Sequence, residues 1–337
     1  MSVAFPRGSL VLMCACLLGC GLQLPTAPPA PPPAKLLAKV PAGTAVSARM
    51  ALDQADIYWI HSNVRDMQPD GKAVSAEILS VPKQGGPIKT VYQSRTAIIL
   101  WLVVSGDGLF WSEETGFFAD EAQRQDPNHF GVMFLKKGAR APTSVARAHH
   151  VARLLKASDG TVYYSLDTSS NQELYRVGAG GGQPELVATV PAANGANFLA
   201  ADARNVYWSN ASGVYARPIK GSQDRPLLAA VPYCGQSDGQ RLVVSDGRVR
   251  SVNVDGTGPI EHGEGDCPVV TLGNLYLAKQ GRQVVAFGRS EEKGVLVKMT
   301  YVAEAKGTME DFAADTTGIY YLDTQRNELM RQPTVPK

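Results

Sequence analysis

Histidines and carboxylates are the side chains of this sequence with the greatest potential for metal or acid–base chemistry. The chain has only five histidines, and three of them stand beside acids or beside one another. Imidazole and carboxylate groups are ligands for zinc, so they would form a metal site if the fold brought them together. Adjacent histidines on a strand point to opposite faces, however, so the sequence predicts no metal site. The candidates left open are His149, His150, His262, Glu264 and Asp266.

Two polar segments with aromatic residues are candidates for binding instead of catalysis. They span residues 60–75 and 112–131, and each lies between two apolar runs. Long loops on a rigid scaffold often carry binding residues, because the scaffold fixes the loop ends. Insertions that only pack their own aromatic rings are the alternative interpretation. The candidate partner-binding residues are His61, Asp66, Asp70, Glu113, Glu114, Phe117, Phe118, Asp120, Arg124, His129 and Phe130.

The short motifs of common enzyme mechanisms do not occur in the sequence. It contains no HExxH, CxxC or GxSxG pattern and no Walker-type loop. Its 33 basic residues nearly balance its 31 acidic residues, so no basic face for nucleic acid is indicated. Neither catalysis nor a cofactor is therefore predicted from a motif.

The elements that must position these residues are short strands. Residues 198–231 contain four apolar or alternating runs, separated by turn-forming Asp, Asn, Gly and Ser. Such runs of about five residues are typical of a four-stranded antiparallel meander, with strands A to D. No apolar stripe with helical spacing persists for the roughly 11 residues that a helix requires.

An aromatic doublet in strand B repeats along the chain. Its copies lie about 44 residues apart on average, which is the length of one propeller blade. The sequence therefore predicts an all-β fold, a β-propeller of seven four-stranded antiparallel blades, with six blades as the alternative. An Asp before several doublets is interpreted as a cap for backbone amides in the A–B turn. The doublets are Tyr58-Trp59, Phe110-Trp111, Tyr163-Tyr164, Tyr207-Trp208, Val243-Val244, Tyr276-Leu277 and Tyr320-Tyr321.

An N-terminal strand is predicted to close the ring. The sequence at 35–43 is similar to the strand D sequences at 184–191 and 225–232, whereas the last repeat supplies only strands A, B and C. The N-terminal strand would then be strand D of the final blade, antiparallel to residues 327–332, and would cover the free edge there. Its residues Leu36, Ala38 and Val40 are expected on one side.

The residues before the first strand carry features of export. Arg7 provides a positive charge, residues 8–18 form an apolar region, and Leu17-Leu18-Gly19-Cys20 resembles a bacterial lipobox. The resemblance implies a signal peptide at 1–19 and acylation of Cys20, with an ordinary signal peptide or a retained anchor as the alternative. The Pro-rich linker at 20–34 is predicted to be an extended stalk for one domain, residues 35–337.

Cys234 and Cys267 are expected to form a disulfide. Each lies nine residues before its marker doublet, so the two cysteines occupy equivalent positions in strands A of consecutive blades. An exported chain meets oxidising conditions, which favour the bond. Two buried free thiols too far apart to bridge are the alternative.

The doublets and their spacing resemble the YWTD-type and related bacterial propeller repeats of secreted proteins and lipoproteins. Tyr207–Asn210, which reads YWSN, and Tyr58-Trp59 carry this resemblance. It extends over nearly all of residues 35–337. It implies the fold and not an activity, because such propellers host many functions.

These inferences together predict a bacterial cell-envelope lipoprotein, anchored in the membrane by its N-terminal lipid and facing the periplasm or the exterior. The propeller is expected to be a monomeric, non-catalytic binding or scaffolding module without a cofactor. Its expected partner is a protein or the cell wall, and not nucleic acid. The alternative is a propeller enzyme, a hydrolase, lyase or quinone-dependent dehydrogenase, whose ionisable residues would converge at the mouth of the channel.

Overall fold

The computed structural model describes residues 33–41, 50–63, 75–106, 108–115, 129–148, 151–156, 160–168, 170–191, 195–270, 275–281, 283–289, 296–306 and 309–333. The predicted signal peptide, Cys20 and most of the Pro-rich linker lie outside these residues. The regular elements within the described ranges are all β-strands. None of these residues belongs to a helix long and apolar enough to cross a membrane.

Seven sheets of four antiparallel strands form the fold, which confirms the predicted seven-bladed β-propeller. Strands are given below in the order A to D. Blade 1 contains β2 (Met50–Leu52), β3 (Asp56–Asn63), β4 (Ser75–Pro82) and β5 (Lys89–Ser94). Blade 2 contains β6 (Ala97–Ser105), β7 (Gly108–Thr115), β8 (Phe130–Lys136) and β9 (Thr143–Ala148). Blade 3 contains β10 (Val151–Lys156), β11 (Val162–Asp167), β12 (Asn171–Val177) and β13 (Glu185–Pro191).

The remaining four blades repeat this arrangement. Blade 4 contains β14 (Asn197–Ala201), β15 (Asn205–Asn210), β16 (Gly213–Pro218) and β17 (Arg225–Leu228). Blade 5 contains β18 (Cys234–Ser237), β19 (Arg241–Ser245), β20 (Arg248–Asn253) and β21 (Ile260–Glu264). Blade 6 contains β22 (Asp266–Val270), β23 (Leu275–Gln280), β24 (Gln283–Arg289) and β25 (Leu296–Glu304). Blade 7 contains β26 (Met309–Asp315), β27 (Gly318–Asp323), β28 (Glu328–Gln332) and β1 (Lys35–Lys39).

The antiparallel strand order sorts the connections onto two faces. The B–C connections within blades and the D–A connections between blades lie on one face, which we call the loop face. The A–B and C–D connections lie on the opposite face, which we call the turn face. Any residues that act together from different blades must share one of these faces.

The aromatic doublets are explained by the position of strand B between two blades. Successive side chains of a strand point to opposite faces, so both members of a doublet meet a neighbouring sheet. In blade 1, Tyr58 packs with Trp111 of blade 2. Trp59 packs on the other side with Tyr320 and Leu322 of blade 7. A strand covered on both faces needs consecutive apolar residues, and this produces the repeat in the sequence.

The N-terminal strand β1 closes the ring, as predicted. It pairs antiparallel with β28, with Lys35 opposite Arg331 and Lys39 opposite Glu328. The Lys39 ammonium lies 2.7 Å from the Glu328 carboxylate. The final blade therefore contains strands from both ends of the described chain, and the edge of β28 is covered.

The expected side-chain alternation in β1 is wrong. Leu36 is 43% exposed, whereas Leu37 is only 7% exposed and belongs to the core between blades 7 and 1. The pairing with β28 shifts register between Leu36 and Ala38. This bulge gives Leu37 the inward position, because the extra residue breaks the simple alternation of the strand. Ala38 and Val40 pack against the same core.

The Asp residues before the doublets cap the A–B turns, as predicted, at the four positions that the structure describes. One Asp202 oxygen accepts bonds of 2.8 Å from the amides of Arg204 and Asn205. Its other oxygen accepts a hydrogen bond from the Tyr207 hydroxyl of the doublet. The carboxylate thus links the turn to strand B. The corresponding caps are Asp53, Asp238 and Asp315.

Two lysines connect these caps across blades on the turn face. Lys137 of blade 2 lies 2.7 Å from the Asp53 carboxylate of blade 1. Lys83 of blade 1 is buried and forms an ion pair with Asp315 of blade 7. Burial alone would raise the pKa of Asp315, but hydrogen bonds from Lys83 and Thr317 outweigh it and hold this pKa below its ordinary value. The ion pairs therefore tie blades 7, 1 and 2 together beside the ring closure.

Candidate functional site

The loop face is uneven, because two neighbouring blades have long B–C connections. Residues 64–74 join β3 to β4, and residues 116–129 join β7 to β8. The B–C connections of blades 3 to 7 are much shorter; β15 and β16, for example, are joined by residues 211–212 only. The ends of both long connections lie on the loop face of adjacent blades. Asp66, Asp70, Phe117, Phe118, Asp120 and Arg124 belong to these connections and lie outside the described residues.

The candidate His61 lies on β3 at the base of the first long connection. It is half-buried and stands opposite Glu77 of β4. Burial lowers the pKa of His61, and the neighbouring Glu77 carboxylate partly opposes this effect. His61 is thus neutral near pH 7, and only part of its ring is accessible to a partner.

The four described candidates of blade 2 form the stem of the second long connection. Glu113, His129 and Phe130 are buried, and Glu114 is half-buried. His129 Nε2 lies 3.1 Å from a Glu114 carboxylate oxygen, and the Thr115 amide donates to the His129 carbonyl over 2.9 Å. These contacts fasten the two ends of the connection to each other.

Phe130 and Glu113, two of the candidate partner-binding residues, are therefore covered and do not offer surface to a partner. Phe130 packs in the core between blades 2 and 3. The buried Glu113 carboxylate accepts hydrogen bonds from Tyr92 over 3.2 Å and from the Trp111 indole over 3.4 Å. Arg147 of β9 lies 3.6 Å from it. Strand positions next to a loop end are covered by neighbouring strands, a feature that residue type alone does not reveal.

The metal-site candidates do not come together as a set. His149 and His150 lie outside the described residues, and His262 lies in the middle of β21, the outer strand of blade 5. There its ring bonds Ser251 over 2.9 Å. Burial and then the neighbouring Arg241 cation lower the pKa of His262 to about 4. In the described part of the chain, no three His, Cys, Asp or Glu side chains are grouped as metal ligands.

Glu264 and Asp266, the other two metal-site candidates, line a pocket that the sequence did not predict. The pocket lies on the loop face between blades 5 and 6 and has a volume of about 350 Å³. Three connections form its wall, namely residues 246–248, 264–266 and 279–281. The B–C turns of blades 5 and 6 and the D–A connection between them thus meet at one cavity. We call it the blade 5–6 pocket.

Cys234 and Cys267 lie together beside this pocket. They occupy β18 and β22, the inner strands of blades 5 and 6, and their Cα atoms are 5.4 Å apart. This is within the usual range for a disulfide, and the two sulfur atoms are at bonding distance. The predicted proximity of the two cysteines is therefore confirmed. The equal sequence distance of the two cysteines from their doublets was enough to predict this, because it places both of them in strand A and at the same position along that strand.

Comparison with known proteins identifies the fold and no family. No protein-family model matches the sequence, and no curated protein matches it by sequence. The structure is similar to the propeller domain of the Trilobed protease from Pyrococcus furiosus, which is described as having an open velcro topology, with 9% identity and a TM-score of 0.57. That match covers 86% of this chain and 95% of the other. In this chain β1 closes the final blade instead.

Two further propellers show similar agreement. BamB from Moraxella catarrhalis matches with a TM-score of 0.50 and 12% identity, covering 91% of this chain and 98% of BamB. An acylaminoacyl peptidase matches with a TM-score of 0.56 and 10% identity, covering 82% of this chain and 48% of the peptidase. This chain thus spans about half the length of that peptidase. These similarities support the resemblance to propeller repeats at the level of fold.

Proposed function

We propose that this chain is a bacterial cell-envelope lipoprotein whose monomeric propeller binds or scaffolds a protein or cell-wall partner without catalysing a reaction. The observation that carries the proposal is the pair of long connections on adjacent blades of the loop face. Their strand ends are held by a closed ring, so two loops can present one surface to a large partner.

The stem of the second connection supports this role. His129, Glu114 and Thr115 fasten the ends of the connection, and Glu113 is satisfied by three neighbouring side chains. A fixed stem lowers the conformational entropy that the loop loses when it binds. Phe117 and Phe118 lie within this connection and are the proposed apolar contacts, with Asp120 and Arg124 as the polar rim.

The partner surface is tested by replacing both Phe117 and Phe118 with serine. The tagged full chain is expressed in envelopes of its host, cross-linked, and its attached proteins and glycans are quantified by mass spectrometry. The double variant is expected to lose the cross-linked partner and to melt at the wild-type temperature. The matched control is Leu186→Ser, which removes a half-exposed leucine from the outer strand of blade 3. Retention of the partner by the double variant would refute a role for this loop.

The lipoprotein assignment has a separate test. Cells fed with labelled palmitate are expected to label the full chain, and Cys20→Ala is expected to abolish the label and to release the protein from the membrane fraction. The control is a variant with serine in place of Cys234 and Cys267. It is expected to keep the label, because those thiols lie in the propeller. Label that survives Cys20→Ala would contradict lipidation at the proposed site.

A further inference from the structure

The blade 5–6 pocket lies on the loop face but on a different sector from the long connections. Two exposed apolar side chains lie on the D–A connection between blades 4 and 5, and one of them, Tyr233, bonds Asp266 of the pocket wall. Val231 is 55% exposed and Tyr233 is 48% exposed. They are two of the four large hydrophobic side chains that are exposed among the described residues. A polar cavity next to an apolar surface is a combination found at binding sites.

The charges that line the pocket leave an excess of carboxylate. Asp246 is neutralised by Arg250, whose guanidinium lies 2.6 Å away. Arg248 is engaged by Glu261 at 3.1 Å. Glu264 is exposed and stands opposite Arg248 in the β20–β21 pairing, but its side chain has no hydrogen bond or ion pair with another residue that the structure describes. With Arg248 engaged by Glu261, the Glu264 carboxylate remains open to a ligand at the pocket wall.

The remaining two charged groups of the wall do not cancel this excess. The Lys279 ammonium donates to the Met309 carbonyl of blade 7 over 3.5 Å, which directs it toward the neighbouring blade. Asp266 accepts a hydrogen bond from the Tyr233 hydroxyl with one of its two oxygens. A ligand with an ammonium or guanidinium group would thus meet Glu264 and the second oxygen of Asp266.

The cysteine pair holds the two parts of this region together. Cys234 directly follows Tyr233, and Cys267 directly follows Asp266. Linking the cysteines therefore fixes the backbone on which the tyrosine ring and the carboxylate meet. The Tyr233 amide also donates to the Ser245 carbonyl over 3.0 Å. Such restraints keep the apolar surface and the pocket in one arrangement before a ligand arrives.

We propose that this region binds a polypeptide segment with a basic side chain beside an apolar one. The basic group enters the blade 5–6 pocket and bonds Glu264 and Asp266, and the apolar side chain covers Tyr233 and Val231. A small amine would fill the pocket but leave the apolar surface exposed, so a peptide accounts for both parts. The inference does not depend on the long connections of blades 1 and 2.

The probe is a fluorescein-labelled peptide, Ala-Leu-Lys-Leu-Ala-amide, titrated with the full chain in detergent and followed by fluorescence polarisation. The same peptide with norleucine or glutamate in place of lysine is expected to bind at least about tenfold more weakly. Added salt is expected to weaken binding of the lysine peptide and to have little effect on the norleucine peptide. Equal binding of the lysine and norleucine peptides would overturn the proposal.

Variants separate the parts of the site. Glu264→Gln is expected to weaken the lysine peptide about tenfold, whereas Glu185→Gln, the same change on the outer strand of blade 3, leaves its affinity unchanged. Tyr233→Ala is expected to weaken both the lysine and the norleucine peptides. Unchanged affinity in Glu264→Gln would refute the site. The control for a small amine is Nα-acetyl-lysine amide, which keeps the side-chain ammonium. If it bound as tightly as the peptide, a polypeptide ligand would be refuted.

Discussion

Replacing Asp202 with alanine is expected to lower the free energy of unfolding of the propeller by about 2–5 kcal/mol. The buried carboxylate makes bonds with both oxygens. One oxygen caps the amides of Arg204 and Asn205, and the other accepts from Tyr207 and, over 3.3 Å, from Ser237 of the next blade. Alanine at position 202 removes all of these bonds and leaves the Tyr207 hydroxyl buried without its carboxylate acceptor.

The magnitude follows from the two kinds of bond. Removal of a capping side chain costs about 0.5–2 kcal/mol. A hydrogen bond to a charged acceptor contributes roughly 1.5–3 kcal/mol, and Tyr207 has no access to solvent that would replace it. The sum is a large part of the roughly 5–15 kcal/mol that stabilises an ordinary domain.

Blade 5 supplies a matched control within the same chain. Asp238 caps the amides of Gln240 and Arg241 at 2.8 and 2.7 Å, but its doublet begins with Val243, which has no hydroxyl. Asp238→Ala is therefore expected to lose the cap, about 0.5–2 kcal/mol, without the loss of a bond to a tyrosine hydroxyl of the doublet.

Urea unfolding followed by tryptophan fluorescence measures both variants, and Tyr207→Phe completes a double-mutant cycle with Asp202→Ala. A coupling of about 1.5–3 kcal/mol is expected between the two positions. Equal losses in Asp202→Ala and Asp238→Ala, or a coupling near zero, would refute the idea that the carboxylate joins turn and strand.

Three further outcomes are expected. Leu37→Ala should lower the free energy of unfolding by about 2–5 kcal/mol and Leu36→Ala by much less, because only Leu37 is in the core; equal losses in urea titrations would contradict the bulge. In the folded protein His262 stays neutral down to about pH 4, whereas in the unfolded chain it takes up a proton near pH 6.5. The stability that comes from keeping His262 neutral is therefore complete above pH 6.5 and is lost as the pH falls toward 4. His262→Gln should remove this pH dependence of the free energy of unfolding. Identical pH profiles of that free energy for wild type and variant, measured by urea unfolding, would refute the expectation. Serine at both Cys234 and Cys267 should cost about 3–4 kcal/mol, and the non-reduced wild type should weigh two hydrogens less than the reduced protein; no mass difference would exclude the bond.

The sequence predicted those features that follow from a repeating register. The doublets gave the blade number even where Val243-Val244 replaces the aromatic pair, because strand B needs apolar residues on both faces. The bulge that buries Leu37 depends on pairing with a strand far along the chain, so no local sequence pattern predicts it. The segment predicted at 112–131 includes Phe130, but β8 begins at Phe130, one position before the predicted end of that segment. The blade 5–6 pocket arises from three separate connections, so its shape depends on the tertiary fold.

The pairing of β1 with β28 has a consequence for how the protein is made. Lys39 and Glu328, which form an ion pair across these strands, are 289 positions apart. Bringing such distant segments together costs roughly 5 kcal/mol of chain entropy, whereas each of the other blades forms from neighbouring strands. Blades 1 to 6 are therefore expected to assemble first, with ring closure as the late and slow step. Until β28 has been synthesised, β1 has no partner, so an interrupted chain would present unpaired strand edges to cellular proteases.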